Sequence, residues 1–196
     1  MGSPVIACLG DSITEGSPEH DARRGGNEES QWTYWVARTH PDLELRNFGR
    51  WGERTDEIAD RFDEAVHGAD AIVVQGGIND LAQGRPAERA AENLRAIVRR
   101  AKERELRVVV ANVLPWNNGG DDAAPKIRRL NDLIAELARA EQVPLLDFHA
   151  ALADPDEPNR IMDEWAHADG DHPSLAGYRR LGEVVSDDLF RALQAE

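Results

Sequence analysis

The chain has 196 residues, a length that suits one domain with a single hydrophobic core. Charged residues make up 31% and apolar residues 41%, which is ordinary for a globular protein and argues against long disordered segments. The formal net charge of −14 argues against nucleic acid or an anionic membrane as the main partner, because phosphate groups are bound by basic surfaces.

The single cysteine, Cys8, excludes an intrachain disulfide and a cysteine-based zinc site. Because it lies in the first apolar run, we expect a buried thiol without a redox role. This run begins almost at Met1, which leaves no room for a signal peptide, and no apolar run approaches transmembrane length. We therefore expect a cytoplasmic protein without membrane insertion. A processed secreted form would show the same features.

The first half of the chain alternates strand-like runs with helical patterns. Apolar or alternating residues indicate the strands, and apolar residues three and four apart indicate the helices. Trp32 and Trp35 have the helical spacing of core residues, and Thr55 can cap a helix with an acidic first turn. In chain order, the predicted elements are a strand at 5–9, a polar loop at 15–29, a helix at about 30–39, a strand at 43–48, a helix from Thr55 and a strand at 71–74.

The second half continues this alternation, and proline marks the start of three helices. Proline suits the first helical turn because its missing N–H would have no partner there. The stretch 154–171 is polar and interrupted by proline, and it predicts no regular element. In chain order, the predicted elements are a helix from Pro86, a strand at 108–113, a helix from Pro125, a strand at 143–148 and a helix from Pro173.

Five strands that alternate with helices predict the fold class. This alternation is typical of a mostly parallel sheet between two helical layers, because parallel strands are joined by crossover helices. We expect one α/β domain over residues 1–196, a three-layer α/β/α sandwich without repeats or linkers. In open sheets of this kind, the chemistry lies at the carboxyl ends of the strands.

One serine stands at such a strand end. Ser12 directly follows the first strand, in the run Gly10-Asp11-Ser12-Ile13-Thr14. Its position alone does not make it a nucleophile. Hydrolysis by a serine also requires a base that takes its proton, a group that orients the base, and donors that bind the oxyanion.

Of the six histidines, His172 has the most informative surroundings. It lies in Asp169-Gly170-Asp171-His172-Pro173, where the proline fixes the start of the last helix and so directs the preceding residue. Asp169, three residues upstream, can turn back onto the imidazole and hold its tautomer. Asp171 is the alternative, but adjacent side chains usually diverge, so we favour Asp169 for this role.

Four short motifs resemble those of the GDSL/SGNH hydrolase superfamily. They follow the family's order and stand at predicted strand ends, so the resemblance covers nearly the whole chain. Each motif alone is common, and their combination is specific. The motifs are Gly10-Asp11-Ser12-Ile13-Thr14, Asn47-Phe48-Gly49-Arg50-Trp51-Gly52-Glu53-Arg54-Thr55, Gly76-Gly77-Ile78-Asn79-Asp80 and Asp169-x-x-His172-Pro173.

The resemblance implies a flavodoxin-like (SGNH hydrolase) topology and a serine hydrolase that needs no cofactor and no metal. Ser12 would be the nucleophile, and His172, oriented by Asp169, would be the general base and then the general acid. The oxyanion would be held by the backbone N–H groups of Ser12 and Gly49 and by the side-chain amide of Asn79. A glycine allows close approach of backbone to a ligand, and asparagine supplies a neutral donor. Turn glycines at 49 and 52 and a helix cap at Asn79-Asp80 are the alternatives.

The resemblance further implies a small-molecule ester as the substrate, cleaved through an acyl-serine intermediate. Acidic, arginine-bearing loops beside the predicted site favour a polar or small-acyl substrate over a long lipid chain, and we expect a short or medium acyl group. Carbohydrate O-deacetylases, acyl-thioesterases and lysophospholipases use the same core residues and remain alternatives. Oligomeric state is not indicated.

Further candidate contacts with the substrate surround these motifs. Trp51 and Trp116 are placed to wall an acyl pocket, and Trp165 could close over the site. For Asp11, a structural role as hydrogen-bond acceptor in the Ser12 turn is the stronger hypothesis. The complete set of candidate substrate contacts is Asp11, Trp51, Ile78, Trp116 and Trp165.

A metal-dependent enzyme is the main alternative from another class. The stretch before the last helix is rich in hard ligands, but it lacks a helical His-x-x-x-His pair and would leave Ser12 without a role. A nucleotide-binding protein and an α/β-hydrolase are disfavoured, because the chain has neither a glycine-rich phosphate loop nor a Gly-x-Ser-x-Gly elbow. The candidate metal ligands are Asp163, His167, Asp169, Asp171 and His172.

Overall fold

A computed structural model describes residues 3–194 and contains a five-stranded parallel sheet between two layers of helices. The strands are β1 (Val5–Gly10), β2 (His20–Asp21), β3 (Gly25–Gly26), β4 (Glu44–Gly49), β5 (Ala71–Val74), β6 (Arg107–Ala111) and β7 (Leu145–Leu146). β2 and β3 form a separate antiparallel hairpin, and the sheet has the order β4-β1-β5-β6-β7. Counted among the sheet strands alone, this is the 2-1-3-4-5 order of flavodoxin-like folds. The predicted fold class is confirmed.

Helices connect the sheet strands and cover both faces of the sheet. They are α1 (Ser12–Glu15), α2 (Trp32–Thr39), α3 (Thr55–Asp60), α4 (Phe62–Ala65), α5 (Ile78–Ala82), α6 (Ala87–Glu103), α7 (Ala123–Glu141), α8 (Phe148–Leu152) and α9 (Leu175–Gln194). The layer formed by α3, α4, α6 and α7 lies on one face, and the layer formed by α2, α8 and α9 lies on the other.

Successive residues of each sheet strand face opposite helical layers, so both faces are buried. In β1, Ala7 and Leu9 pack with α3, α4, α6 and α7, whereas Ile6 and Cys8 pack with α2, α8 and α9. This explains why the strands are continuous apolar runs. Cys8 is fully buried, as expected, and burial raises the pKa of its thiol well above the usual value.

The helix starts differ from the prolines that the sequence suggested. Helix α7 begins at Ala123, so Pro125 lies inside the first turn, where its missing N–H loses no hydrogen bond. Helix α9 begins at Leu175, because Ser174 acts as its N-cap and accepts the N–H of Gly177 with Oγ at 3.2 Å. A side-chain cap therefore sets the start of α9, whereas the N-cap residue of α7, Asp122, makes no such bond.

The helix predicted from Thr55 is instead two short helices, α3 and α4, which are separated at Arg61. Thr55 is the first residue of α3 and not its cap. Its N–H and its hydroxyl both donate to the Asp80 carboxylate, at 2.9 and 3.0 Å. The last strand is also shorter than predicted, because Asp147 already serves as the N-cap of α8.

The two stretches without a predicted element contain short regular structures. Residues 15–29 include the hairpin β2–β3, and residues 154–171 include a 3₁₀ turn at Asp163–Trp165. In α2, Trp32 is fully buried and belongs to the core as expected, whereas Trp35 is only partly buried.

Over residues 3–194, no helix has both the length and the hydropathy that a membrane span requires. The extent of the domain, 1–196, stays a prediction, and its two residues at each terminus lie outside the described part of the chain.

Candidate active site

The candidate site lies at the carboxyl ends of the central strands, where Ser12 is the first residue of α1. Asp11 caps this helix by accepting the N–H of Ile13 with Oδ1 at 3.0 Å. The helix ends after one turn at Gly16, whose φ of 98° is a conformation that favours glycine. Ser12 is only 5% exposed, and its N–H has no acceptor within residues 3–194.

The structure brings Ser12, His172 and Asp169 into one series of hydrogen bonds. Ser12 Oγ lies 3.0 Å from His172 Nε2, and His172 Nδ1 lies 2.9 Å from Asp169 Oδ2. When Nδ1–H is donated to the carboxylate, Nε2 is left as an acceptor for the serine hydroxyl. This arrangement can take a proton from Ser12.

Asp169 is held as an ionised acceptor. Its Oδ1 accepts the N–H groups of Asp171 and His172 at 2.9 and 3.1 Å. Burial alone would raise the pKa of Asp169, but these N–H groups and the His172 ring lower it to about 2. The carboxylate is therefore charged at neutral pH and can stabilise a positive charge on His172.

Asp171 is directed away from the imidazole. Its Oδ1 accepts the indole N–H of Trp116 at 2.7 Å, and the neighbouring Gly170 carbonyl accepts the N–H of Asn118 at 3.0 Å. These two bonds join the loop that bears His172 to the loop that follows β6. Asp169, and not Asp171, is thus the carboxylate beside the ring.

Asn79 follows β5 and lies in the first turn of α5. One N–H of its side-chain amide donates to the carbonyl of Glu53 at 2.9 Å. An asparagine amide has two N–H donors, so the second is left for a ligand. Asn79 lines the same cavity as Ser12 and His172.

The hydrogen bonding of Gly49 contradicts its predicted role as an oxyanion donor. Its N–H already donates to Asn47 Oδ1 at 2.9 Å. The residue is buried against the backbone of Glu15, where an added Cβ would lie 2.0 Å from the Glu15 nitrogen. Glycine is needed at this position because the end of β4 and α1 pack closely, not because a ligand approaches.

Gly52, three residues later in the same motif, is better placed as a backbone donor. It lies between Trp51, which lines the cavity, and Glu53, whose carbonyl binds Asn79. Its φ of 75° favours glycine, and within the described residues its N–H has no acceptor. The sequence contained the signal, since Gly52 belongs to the motif, but the spacing did not say which glycine carries the free N–H.

Sequence reasoning also missed Arg61, whose guanidinium joins three parts of the site. It forms an ion pair with Glu53, with Arg61 Nη2 2.5 Å from Glu53 Oε2. It also donates to the carbonyls of Phe48 and Gly10, at 2.9 and 3.2 Å. Arg61 is only 8% exposed. In the sequence, the one signal that indicated its burial was its position three residues after the buried Ile58. Gln75, likewise not singled out, accepts the N–H of Asp11 at 3.3 Å.

Asp11 is a structural residue behind Ser12 and does not line the cavity, so the prediction that it contacts the substrate is wrong. It is fully buried, and its Oδ2 has no hydrogen-bond partner among the described residues. Burial raises the pKa of Asp11 to about 6, although the Ile13 N–H and Gln75 act in the opposite direction.

A cavity of about 170 Å³ opens beside Ser12. The predicted contacts Trp51, Ile78 and Trp116 line it, and Trp51 is 71% exposed, as expected for a residue at the rim. Most of the remaining lining is apolar, contributed by Ile13, Ala82, Val113, Leu114 and Pro115. The cavity suits an apolar group next to the reactive serine.

Trp165 does not line this cavity, which corrects its predicted position over the site. Its ring lies under the guanidinium of Arg180, 5.2 Å from the ring centroid, and its carbonyl accepts the N–H of Ser174 at 2.8 Å. Trp165 therefore packs against the start of α9 and supports the last helix.

The residues of the hypothetical metal cluster do not all face one another. Asp163 pairs with Arg160 at 3.2 Å, and His172 faces Ser12. Among residues 3–194, no three His, Cys, Asp or Glu side chains converge in a group that could hold a metal ion.

A family model described as the GDSL-like Lipase/Acylhydrolase family matches residues 8–180 of the chain. This range includes Ser12, Gly52, Asn79, Asp169 and His172. No curated protein sequence matches the chain significantly.

Several solved structures share the fold. A protein from Desulfitobacterium hafniense DCB-2, described as lipolytic and of the G-D-S-L family, has a TM-score of 0.80 at 23% identity, with 95% of this chain and 99% of that chain covered. A member of the lipolytic protein G-D-S-L family from Veillonella parvula DSM 2008 has a TM-score of 0.79 at 21% identity, covering 96% and 98%. The psychrotrophic esterase EstA from Pseudoalteromonas sp. has a TM-score of 0.71 at 17% identity, covering 97% and 96%.

Arg61→Lys tests whether the guanidinium positions the site. Lysine keeps the charge but cannot bind Glu53 and two carbonyls in one plane. We expect a folded protein whose kcat for p-nitrophenyl butyrate falls about 10–100-fold with a smaller change in KM, because misplacement by about 1 Å can cost about 100-fold. Arg99→Lys, at an exposed pair with Glu141, is the matched control. An unchanged kcat in folded Arg61→Lys would contradict this role.

Proposed function

The chain belongs to the GDSL-like lipase/acylhydrolase family, and on this basis we propose that it is a serine esterase. Its substrates would be carboxylic esters with short or medium acyl groups, cleaved through an acyl-serine intermediate. The observation that carries the proposal is the hydrogen-bonded series Ser12, His172 and Asp169 beside an apolar cavity.

In the acylation step, His172 Nε2 accepts the hydroxyl proton as Ser12 Oγ attacks the ester carbonyl carbon. The tetrahedral intermediate collapses when the bond to the leaving oxygen breaks, and Nε2 returns the proton to that oxygen to release the alcohol. Asp169 remains ionised throughout, because its pKa is about 2, and stabilises the transient imidazolium. Water then attacks the acyl-serine as Nε2 takes its proton. The bond between the acyl carbon and Ser12 Oγ breaks, Nε2 returns the proton to Oγ, and the acid is released.

The oxyanion would be bound by three donors from three strand ends. We assign the Ser12 N–H, the second side-chain N–H of Asn79 and the Gly52 N–H to this role, in place of the Gly49 N–H. Loss of one such donor typically costs about 3–4 kcal/mol of transition-state stabilisation. Because the Asn79 amide is tied to the Glu53 carbonyl, its donor would be oriented before substrate binds.

The size of the cavity supports a short or medium acyl group. An engineered apolar cavity of about 150 Å³ holds a benzene molecule, and the cavity beside Ser12 has about 170 Å³. A group of about six carbon atoms would therefore fill it. Longer chains would extend past the rim at Trp51 into solvent and would gain less from burial.

The other reactions of the same class differ in the parts of the substrate outside this cavity. A carbohydrate acetate would leave most of the apolar lining without contact, so O-deacetylation is the weaker alternative. Thioesters and lysophospholipids would use the same attack and oxyanion donors. An acyl-length series separates the lysophospholipase alternative from the proposal, because lysophospholipids carry long chains.

Ser12→Ala is the central test of the mechanism. We expect kcat for ester hydrolysis to fall by more than about 10³-fold, because the variant lacks the nucleophile. A fluorophosphonate probe should label the native protein and not the variant. A probe of this chemistry is supported by EstA, whose structure is described as inhibited by monoethylphosphonate.

Ser186→Ala, which changes a buried serine on α9, is the control and should keep both activity and labelling. Full esterase activity in Ser12→Ala would refute the proposed nucleophile. Loss of activity on treatment of the native protein with EDTA would favour the metal-dependent alternative.

A series of p-nitrophenyl esters from acetyl to dodecanoyl tests the acyl group. We expect kcat/KM to be highest near butanoyl and hexanoyl, because these groups fill the cavity. Ala82→Leu should move the optimum toward acetyl, since Ala82 lines the cavity and the larger side chain occupies part of it. A native optimum at dodecanoyl would contradict the proposed size limit, and preference for acetylated sugars over all of these esters would favour the deacetylase.

Asp169→Asn and Asp171→Asn compare the two carboxylates of the loop. Asn at 169 can donate to Nδ1 and favour the wrong imidazole tautomer, so we expect kcat to fall by about 10³–10⁴-fold. Asn at 171 still accepts the Trp116 N–H, so we expect a loss below about tenfold, the worth of one neutral hydrogen bond. Measurement of kcat at pH 8 for both variants tests the ranking. The reverse order would transfer the orienting role to Asp171.

A further inference from the structure

A second histidine, His167, contacts the same carboxylate oxygen as the catalytic imidazole. Asp169 Oδ2 lies 2.9 Å from His172 Nδ1 and 3.1 Å from His167 Nδ1. The mechanism described above gives His167 no role. Its ring is 29% exposed, so protons can reach it from solvent.

The neutral form of His167 has a defined hydrogen-bond role. The N–H of Asp169 points at His167 Nδ1 from 3.2 Å, and an N–H can donate only to a ring nitrogen that carries no proton. The neutral tautomer that accepts this N–H carries its proton on Nε2. The bond joins residue 167 to the N–H two residues later, which is the geometry that asparagine side chains form in Asx turns.

The protonated form would make different contacts. With a proton on each nitrogen, Nδ1–H would face Asp169 Oδ2, and Nε2–H would face Glu19 Oε1 at 3.9 Å. The other charged groups near this loop are directed elsewhere: Asp171 accepts the Trp116 N–H, and Arg180 lies over Trp165. The Asp169 and Glu19 carboxylates and the His172 ring are thus the groups that face His167.

We propose that His167 is a positioning residue that couples the triad to pH through Asp169 Oδ2. This inference rests on the proposed esterase function. Neutral His167 holds the backbone of Asp169 so that Oδ2 faces His172. Protonated His167 donates Nδ1–H to Asp169 Oδ2, so that this oxygen accepts from both imidazole rings. It also places a second positive charge beside the imidazolium that acylation creates on His172.

It follows that the active form has both histidines neutral. The two rings share one carboxylate, so their protonation steps are coupled and belong to the pair. On the acid side, kcat/KM of the native enzyme should fall more steeply than one proton allows. A triad with His172 as the only titrating group would lose activity with a one-proton slope.

His167→Asn separates the two functions of the ring. Asparagine can form the same turn bond to the Asp169 N–H, but it does not titrate. We expect kcat at pH 8 close to that of the native enzyme and a one-proton acid limb. Along the acid limb, the ratio of variant to native kcat/KM should rise about tenfold for each pH unit, because the native slope contains one proton more.

His167→Ala removes both the titration and the turn bond. We expect the same one-proton limb, together with a several-fold lower kcat at pH 8 and a nearly unchanged KM. Glu19→Gln removes a carboxylate that favours the protonated ring, so it should move the steep part of the native limb to lower pH. All profiles are measured from pH 4.5 to 9 with p-nitrophenyl butyrate.

A one-proton limb in the native enzyme, or a steep limb retained in His167→Asn, would overturn the coupling. Equal kcat values at pH 8 in His167→Ala and His167→Asn would overturn the positioning role of the turn bond. Neither result touches the esterase proposal, which Ser12→Ala tests separately.

Discussion

The geometry of the candidate site depends on one buried guanidinium. Arg61 binds the carbonyl at the end of β1, a carbonyl near the end of β4 and the carboxylate of Glu53. Ser12 follows the first of these points, and Glu53 in turn fixes the Asn79 amide. A buried charge is stable only when its hydrogen bonds are satisfied. Loss of any one partner of Arg61 would therefore leave the guanidinium unsatisfied and weaken its contacts with the others. The separation of Ser12, the proposed nucleophile, from the Asn79 amide, a proposed oxyanion donor, is thereby set by contacts within the fold.

The environment of Ser12 also assigns different tasks to two nearby carboxylates. Asp169 accepts two backbone N–H groups and faces His172, and its pKa is about 2. Asp11 is fully buried with one oxygen unpartnered, and its pKa is raised to about 6. Pairs of acids whose surroundings separate their pKa values commonly differ in role. Here the ionised acid supports the histidine, and the other caps the turn that presents the serine.

The parts of this site that follow from local pattern were predictable from the sequence. Apolar runs located the strands, and strand ends together with short motifs located Ser12, Asn79, Asp169 and His172. The failures concern groups whose partners are distant in the chain. The choice between Gly49 and Gly52 as backbone donor depends on which of their N–H groups Asn47 already binds. The hydrogen-bond partners of Arg61 lie at strand ends up to 51 residues away in the chain. The start of the last helix was mispredicted for a local reason, because Ser174, and not Pro173, caps it.

The bond between Trp116 and Asp171 connects the cavity wall to the loop that carries His172, the proposed base. One side of the wall is Trp116, and its indole is tied to the residue directly before His172. An acyl group that packs against Trp116 and holds it in place would therefore also restrain the His172 imidazole. A group too small to contact Trp116 would leave the loop that carries His172 less restrained. Selectivity for the acyl group would then be expressed in the rate of the chemical step as well as in binding, because recognition and proton transfer share one loop.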